Sequence, residues 1–339
     1  MESNDFEKYN TVQYCFPSQN SSCTKEIRST SVSVVLYVLF SIISILTVFL
    51  NLLVIISISH FKQLHTPTNL LILSLAVADL MVGAIVMPME SIRLIETCWY
   101  FGEIFCALYP VIVYIVVSAS LGNLVFISVD RYIAISDPLR YTVRVTFRKT
   151  LCCIGICWSS SLTYAVVLLF DHLSEPMAHV ACYGDCIVVT EFSVMIADLI
   201  ITFLTPCTVI IILYFKVFKL ARKQMNIINE MSAGLKHSEK AVLPKKSERK
   251  AAKTLGVLIV VYLICWIPYY ICILTVDNIT TSSAIVNILS WFMYINSCLN
   301  PVIYALFYPW FKTSVKYILT LRIIKSSSSS FINLFSDNG

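Results

Sequence analysis

Three sets of ionisable residues lie inside strongly apolar stretches of this sequence: Asp79, Asp198 and the adjacent pair Asp130-Arg131. Charge in such surroundings is costly; where it persists it is paired, protonated or put to use. Asp79 sits in Leu75-Ala76-Val77-Ala78-Asp79-Leu80, and its candidate partners are Asn51, Ser120, Asn296, Ser297 and Asn300. Together they offer oxygens for a small hard cation such as sodium, or they form a hydrogen-bonded network with no ion. Asp130-Arg131-Tyr132 closes an apolar run, where an acid and a base can satisfy each other. Arg131 can also reach Glu248, at the base of a later run, and clamp two helices together; breaking the clamp gives a two-state element. The plainer reading is anchoring by positive charge, which needs neither the Asp nor the Tyr. Asp198 lies eight residues before Pro206, about two turns away along a helix. Its plainer reading is a protonated carboxyl, or one bonded to a neighbouring helix. Pro206, Pro268 and Pro301 each remove a backbone hydrogen bond and kink a helix, and Trp266, two residues before Pro268, is placed to act as a packing switch.

The elements that must hold these groups are set by composition. Of 339 residues 58% are hydrophobic and 13% charged, with a mean hydropathy of +0.78; lipid, not water, is the solvent for such a surface. A spanning helix needs roughly 20 apolar residues. Seven stretches qualify: about 33–58, 68–91, 104–129, 150–170, 192–215, 254–275 and 283–306. An open sheet would leave backbone groups unpaired in lipid, so the expected fold is an all-α membrane protein, a seven-transmembrane helix bundle. Residues 1–32 form an outer N-terminal segment, 33–306 the bundle, 307–320 a short amphipathic eighth helix of aromatic and basic residues, and 321–339 a disordered inner tail. That tail contains Ser326 to Ser330, acceptors for phosphate. No cysteine follows Cys298, which leaves the eighth helix without a palmitoyl site.

Basic residues flank the third and fifth spans (Arg140, Arg144, Arg148, Lys149; Lys216, Lys219, Arg222, Lys223), while the opposite loops carry Glu96, Glu103, Asp171, Glu175, Asp185, Glu191 and Asp277. The positive-inside rule puts the N-terminus outside, and the net charge of +5 expresses that bias rather than nucleic-acid binding. Residues 1–32 lack a signal-peptide pattern, so the first span is expected to act as an uncleaved anchor. Asn20 and Asn278 open glycosylation sequons on the outer face. Among thirteen cysteines, Cys15, Cys23, Cys106, Cys182 and Cys186 are read as outer and able to keep disulfides. Cys106 is expected to pair with Cys186. Cys182 then takes Cys23 or Cys15, with Cys23–Cys182 carried forward, although sequence alone does not fix the connectivity.

Asn51, Asp79, Asp130-Arg131-Tyr132, Trp158, Pro206, Cys265-Trp266-Ile267-Pro268 and Asn300-Pro301-x-x-Tyr304, in order through all seven spans, resemble the rhodopsin-like G-protein-coupled receptors. Asn296-Ser297-x-x-Asn300-Pro301-x-x-Tyr304-x-x-x-Tyr308-x-Trp310-Phe311, with His65-Thr66-Pro67-Thr68-Asn69 and the paired Cys182 and Cys186, is similar to the trace amine-associated receptors. The resemblance implies olfactory amine sensing and coupling to a stimulatory G protein that raises cyclic AMP. It also favours sodium as the cation at Asp79, Ser120, Ser297 and Asn300. One position departs from the family: the span-3 counter-ion, seven residues after the disulfide cysteine, is Val113, beside Tyr114. Asp198 resembles the relocated span-5 counter-ion of a subset seen mostly in fish. At an effective dielectric near 20, an ammonium ~4 Å from a carboxylate gains roughly 4 kcal/mol. Tyr114, Trp266, Tyr269, Tyr270 and Tyr294, with Trp291 the weakest candidate, would supply cation–π faces. Glu191, about 10 Å from Asp198 by helix rise, could meet a second amine or merely cap its helix.

Spans 283–306 hold no lysine for an opsin Schiff base, and the five histidines fall in or near loops, which argues against a seven-helix metallohydrolase. No inverted repeat or polar stripe suggests a transporter. The expectation is therefore a receptor and not an enzyme. An amine at Asp198 closes spans 5 and 6 through Trp266 and the tyrosines; Arg131 leaves Glu248; a G-protein α subunit enters with help from Tyr214 and Tyr304. Arrestin, a receptor kinase and membrane lipids are further expected partners, in the plasma membrane or the cilia of olfactory neurons. A transmitter-amine receptor, or an orphan with a non-amine ligand, is the alternative.

Overall fold

The computed structural model describes residues 12–175, 182–188, 191–232, 246–275 and 284–320. In chain order, α1 is Thr30–His60. Helix α2, Pro67–Met81, continues through a π-helical turn, Val82–Val86, into α3, Met87–Glu96. Then come α4, Gly102–Ser136; the one-turn α5, Tyr141–Arg144; α6, Phe147–Leu168; and the short α7, Phe170–Ser174. Helix α8, Phe192–Asp198, passes through a second π segment, Leu199–Leu204, into α9, Thr205–Ser232. The last three are α10, Lys246–Thr275; α11, Ala284–Phe307; and α12, Pro309–Leu319.

Six of the spans so formed (α1, α2–α3, α4, α6, α8–α9 and α10) are long and apolar enough to cross a membrane. Helix α11, the seventh, is diluted by Ser290, Asn296, Ser297 and Asn300, all buried; its polar side faces inward. The whole is a seven-transmembrane helix bundle with α12 as a short amphipathic eighth helix. Helices α4 and α9 run to Ser136 and Ser232, well past the apolar stretches that end near 129 and 215. Hydropathy marks the hydrocarbon layer, and a helix has no reason to stop at its edge.

Local chemistry sets the starts. Ser29 accepts from Val32 N and caps α1. Thr66 accepts from Asn69 N, and Pro67 occupies the first turn of α2, where its missing N–H costs nothing. Thr146 caps α6 in the same way. Pro309 opens α12, whose buried face of Phe311, Ser314 and Tyr317 meets α1 and the first inner loop around Phe61 and Leu64.

In lipid, helices are held to one another by close packing and interhelical hydrogen bonds, since lipid is as apolar as leucine. Accordingly Asn51 Nδ2 donates to Ser297 O at 3.0 Å, Trp158 Nε1 to Ser74 Oγ at 3.0 Å and Ser44 Oγ to Gly83 O at 2.6 Å. Leu75, Leu121, Leu124, Tyr262 and Tyr304 fill the centre. Val35, Ile45, Ile104 and Val167 point outward, exposed, as lipid-facing residues should.

The outer face is covered by a hairpin of β1 (Gln13–Tyr14) and β2 (Thr24–Lys25), paired Gln13↔Lys25 and Tyr14↔Thr24. Three disulfides order this face: Cys106–Cys186, which joins α4 to the second outer loop, and Cys23–Cys182 and Cys15–Cys98, which hold the hairpin. The third corrects the reading of Cys98, which had not been counted among the outer cysteines: α3 ends at Glu96, so Cys98 stands in the outer loop. Ser21 O and Cys23 N also bond the backbone of Tyr183. Gly184 adopts φ +102°, and a Cβ there would lie 3.0 Å from Cys15 and Phe16; glycine lets the second outer loop pass under the hairpin. Lys25 bonds Glu96, and that hydrogen bond raises the lysine pKa above its usual value, so the contact stays charged at neutral pH. Asn20 is exposed on the hairpin turn. Asn278 and Ser326–Ser330 lie outside the described residues.

Candidate functional site

Between α3, α4, α8, α10 and α11 lies a cavity of ≈ 180 Å³, with Val188 of the second outer loop in its wall. A deeper cavity of ≈ 120 Å³ continues to Trp266. Val113, Tyr114, Asp198, Tyr269, Tyr270, Ser290 and Tyr294 line both. That is room for a small molecule rather than a peptide.

Asp198 is the last residue of α8, and the wider π turn begins at Leu199. Tyr164 Oη of α6 donates to its Oδ1 at 2.5 Å. Thr202 Oγ1, one turn on, lies 2.7 Å from Asp198 O and 3.3 Å from Oδ1. No ion pair reaches Asp198 among the described residues. Thr202 also meets Tyr270 Oη at 3.2 Å, and the Tyr270 ring stacks at 6.1 Å from Trp266. Hydroxyl and ring contacts thus lead from the carboxylate to Trp266 without a gap. Glu191 does not join the group. It is exposed at the N-cap of α8, its side chain makes no capping bond, and it accepts from Ser193 Oγ at 3.3 Å. Trp291 stacks on Phe40 at 4.0 Å, outside the cavity lining.

Deeper in the bundle Asp79 is fully buried. Asn300 Nδ2 donates to its Oδ2 at 2.7 Å and Ser120 Oγ to its Oδ1 at 3.2 Å; Ser297 lies beside it. Asn51 turns its amide to backbone oxygens instead, at Thr47 and Ser297. The side-chain oxygens of Asn51, Asn123 and Asn296 are buried with no protein partner among the described residues. A buried carboxylate met by the Ser120 hydroxyl and the Asn300 amide nitrogen, in a core that also holds unpartnered amide oxygens, offers oxygen ligands of the kind a hard cation and its waters would take.

At the inner end, Arg131 Nε and Nη2 bond Asp130 Oδ2 at 2.9 and 2.5 Å, and Nη2 also reaches Thr68 Oγ1. Thr68 Oγ1 donates to Asp130 Oδ2 at 2.8 Å, and Tyr141 Oη of α5 donates to Oδ1 at 2.7 Å. Burial pushes the Tyr141 phenol up to about 12, so it keeps the proton it donates. Arg131 is therefore held by its own neighbour and by α2; the Glu248 side chain lies outside the described residues. Tyr132 faces Lys216 of α9, whose Nζ stands 5.8 Å from the ring centre. Tyr214 lies against Gly256, where an added Cβ would come within 2.5 Å of the phenol oxygen. Tyr304 is buried beside Tyr308, with ring centres 6.1 Å apart. Pro268 and Pro301 lie inside α10 and α11.

Sequence reasoning missed Glu90, Arg93, Tyr109 and Tyr164. Glu90 and Arg93 share one face of α3 at i,i+3 spacing, and the second helix, read as ending near 91, runs on to Glu96. Their spacing was the available signal. Tyr164 carried none, because a tyrosine in an apolar helix is unremarkable until the residue facing it is known.

The family described as "7 transmembrane receptor (rhodopsin family)" matches residues 50–304. Trace amine-associated receptor 13c of Danio rerio is 40% identical over 97% of this chain and 98% of its own. Trace amine-associated receptor 6 of Homo sapiens is 41% identical (96% and 97%), and receptor 8a of Rattus norvegicus 42% identical (96% and 97%).

Proposed function

The chain belongs to the rhodopsin family of seven-transmembrane receptors, and within it to the trace amine-associated receptors, and we propose that it senses extracellular amines through Asp198. As a member of that family it is a multi-pass membrane receptor with a small-molecule ligand and a G-protein partner, not an enzyme. The observation that carries the proposal is a single one: Asp198 lines the outer cavity facing aromatic rings and, among the described residues, makes no ion pair. Val113, in place of a span-3 carboxylate, leaves Asp198 as the anchor for an ammonium group.

An ammonium ~4 Å from Asp198 gains roughly 4 kcal/mol at an effective dielectric near 20, and Tyr114, Tyr269, Tyr270 and Tyr294 offer it π faces. Ligand at Asp198 engages Thr202, Tyr270 and Trp266 in turn, so α9 and α10 shift together about Pro268. That shift releases Arg131 from Asp130 and Thr68, frees Tyr214 from Gly256 and opens the inner end to a G protein. The ligand can drive this only by its differential affinity for the two states. The coupling is to the stimulatory class, raising cyclic AMP, and the setting is the plasma membrane, in the cilia of olfactory neurons. Arrestin and a receptor kinase act on the serine-rich tail, and Asn20 carries a glycan. Asp79, Ser120, Ser297 and Asn300 would hold a sodium ion, whose charge would balance the buried carboxylate.

The test is a cyclic AMP reporter in transfected cells, screened with amines against the wild type and Asp198→Ala at equal surface expression. An amine response that the substitution abolishes supports the assignment. A response that survives it sinks the amine site at Asp198.

A further inference from the structure

Among the described residues, the acids and bases lining the outer cavity are three: Asp198 on one side, and Glu90 with Arg93 on α3. Glu90 is buried, 6% exposed. Its Oε1 accepts from Tyr109 Oη at 2.8 Å and from Arg93 Nη1 at 3.5 Å. Arg93 also lies in the field of Tyr109, Tyr294 and Asp185 of the second outer loop. The cavity therefore contains two carboxylates, but they are not equivalent. Asp198 is met by hydroxyls, whereas Glu90 is met by a guanidinium. Counted by residue type, two carboxylates and one guanidinium give the lining a formal sum of −1.

We infer that Arg93 is a built-in cation that occupies the second anionic position of the cavity and restricts the receptor to ligands with one ammonium group. The inference rests on the amine reading above and deepens it. A monoamine brings the cavity to neutrality. A diamine would carry its second ammonium into a wall that already presents Arg93, or would have to take from that buried guanidinium the carboxylate it is bonded to. Without Arg93 the lining would sum to −2, matched to a diammonium ligand whose second charge meets Glu90. Arg93 in this reading does not touch the amine; it sets specificity by charge.

The experiment compares straight-chain monoamines with α,ω-diamines of matched length on the wild type, Arg93→Gln, Glu90→Gln and Asp198→Ala, with surface expression measured for each. The wild type should respond to monoamines at concentrations at least about tenfold lower than to the matched diamines, and Arg93→Gln should move that ratio about tenfold toward diamines. Adding Glu90→Gln to Arg93→Gln should remove the gain. Where Arg93→Gln does not reach the surface, Glu90→Gln alone decides: it removes the carboxylate that Arg93 meets in the cavity wall and should widen the preference for monoamines. A wild type that prefers diamines, or a ratio that neither substitution moves, overturns the inference. If amines act through Asp198 and the ratio stays fixed, only this inference fails; if no amine acts, or Asp198→Ala responds as the wild type does, the amine reading itself has failed.

Discussion

Asp198 and Val113 line the same cavity from two different helices, α8 and α4. A carboxylate at either position would face the same small space and the same tyrosines. We expect Val113→Asp, placed in the inactive Asp198→Ala background, to restore the amine response to within about tenfold of the wild type, because the Coulomb term depends on separation and local dielectric more than on which helix supplies the charge. A double variant that reaches the surface and stays silent would mean that Asp198 does more than supply charge. Asp198 was legible in the sequence because a carboxylate in an apolar run stands out against its surroundings. Its support was not. Tyr164 gains meaning only once α6 meets Asp198 at the end of α8, and Thr202 only once the π segment turns it back onto that carboxylate; Glu90 sat at the last turn of its expected span, and its partner Arg93 lay past the expected end.

Each of the two helices that carry a cavity carboxylate contains a π segment, Val82–Val86 before Glu90 and Leu199–Leu204 after Asp198. Such wide turns interrupt the regular ladder and are frequent at functional sites. At the inner ends of the same bundle, closure depends on small residues. Tyr214 fits against Gly256 only because there is no side chain there. Gly256→Ala should disfavour this closed arrangement by about 1–3 kcal/mol, the usual cost of overpacking, and so raise ligand-free G-protein activation several-fold in membranes; an unchanged basal level would show that Tyr214 yields without opening the helices. The number and order of helices were readable from hydropathy, since lipid enforces the length of every span. Their ends were not, because capping and the aqueous extensions of α4 and α9 follow local bonds rather than apolar content. The bridge to Cys98 is a different case: the expected spans, ending near 91 and resuming near 104, already leave Cys98 in the outer loop, and only the fold of the hairpin brings Cys15 to it.

At the scale of the whole molecule, stability and signalling share one core. Asp79 links α2 to α4 through Ser120 and to α11 through Asn300, joining three spans at one carboxylate. If sodium sits there, the thermal midpoint of the detergent-solubilised receptor should be higher in sodium chloride than in choline chloride at equal ionic strength, by mass action on the folded state, and Asp79→Asn should erase the difference. Equal midpoints for the wild type in the two salts would leave a network without an ion. The outer end obeys a different rule, because its order is covalent. Cys15 is bonded to Cys98 and Cys23 to Cys182, so the turn between them, with Ser18, Gln19 and Asn20 exposed, is anchored on both sides. A protease that cut this turn would release neither piece. The nicked receptor should migrate on a gel as one band without reductant and as two with it, and a secreted protease meeting the cell surface could score the cap without removing it.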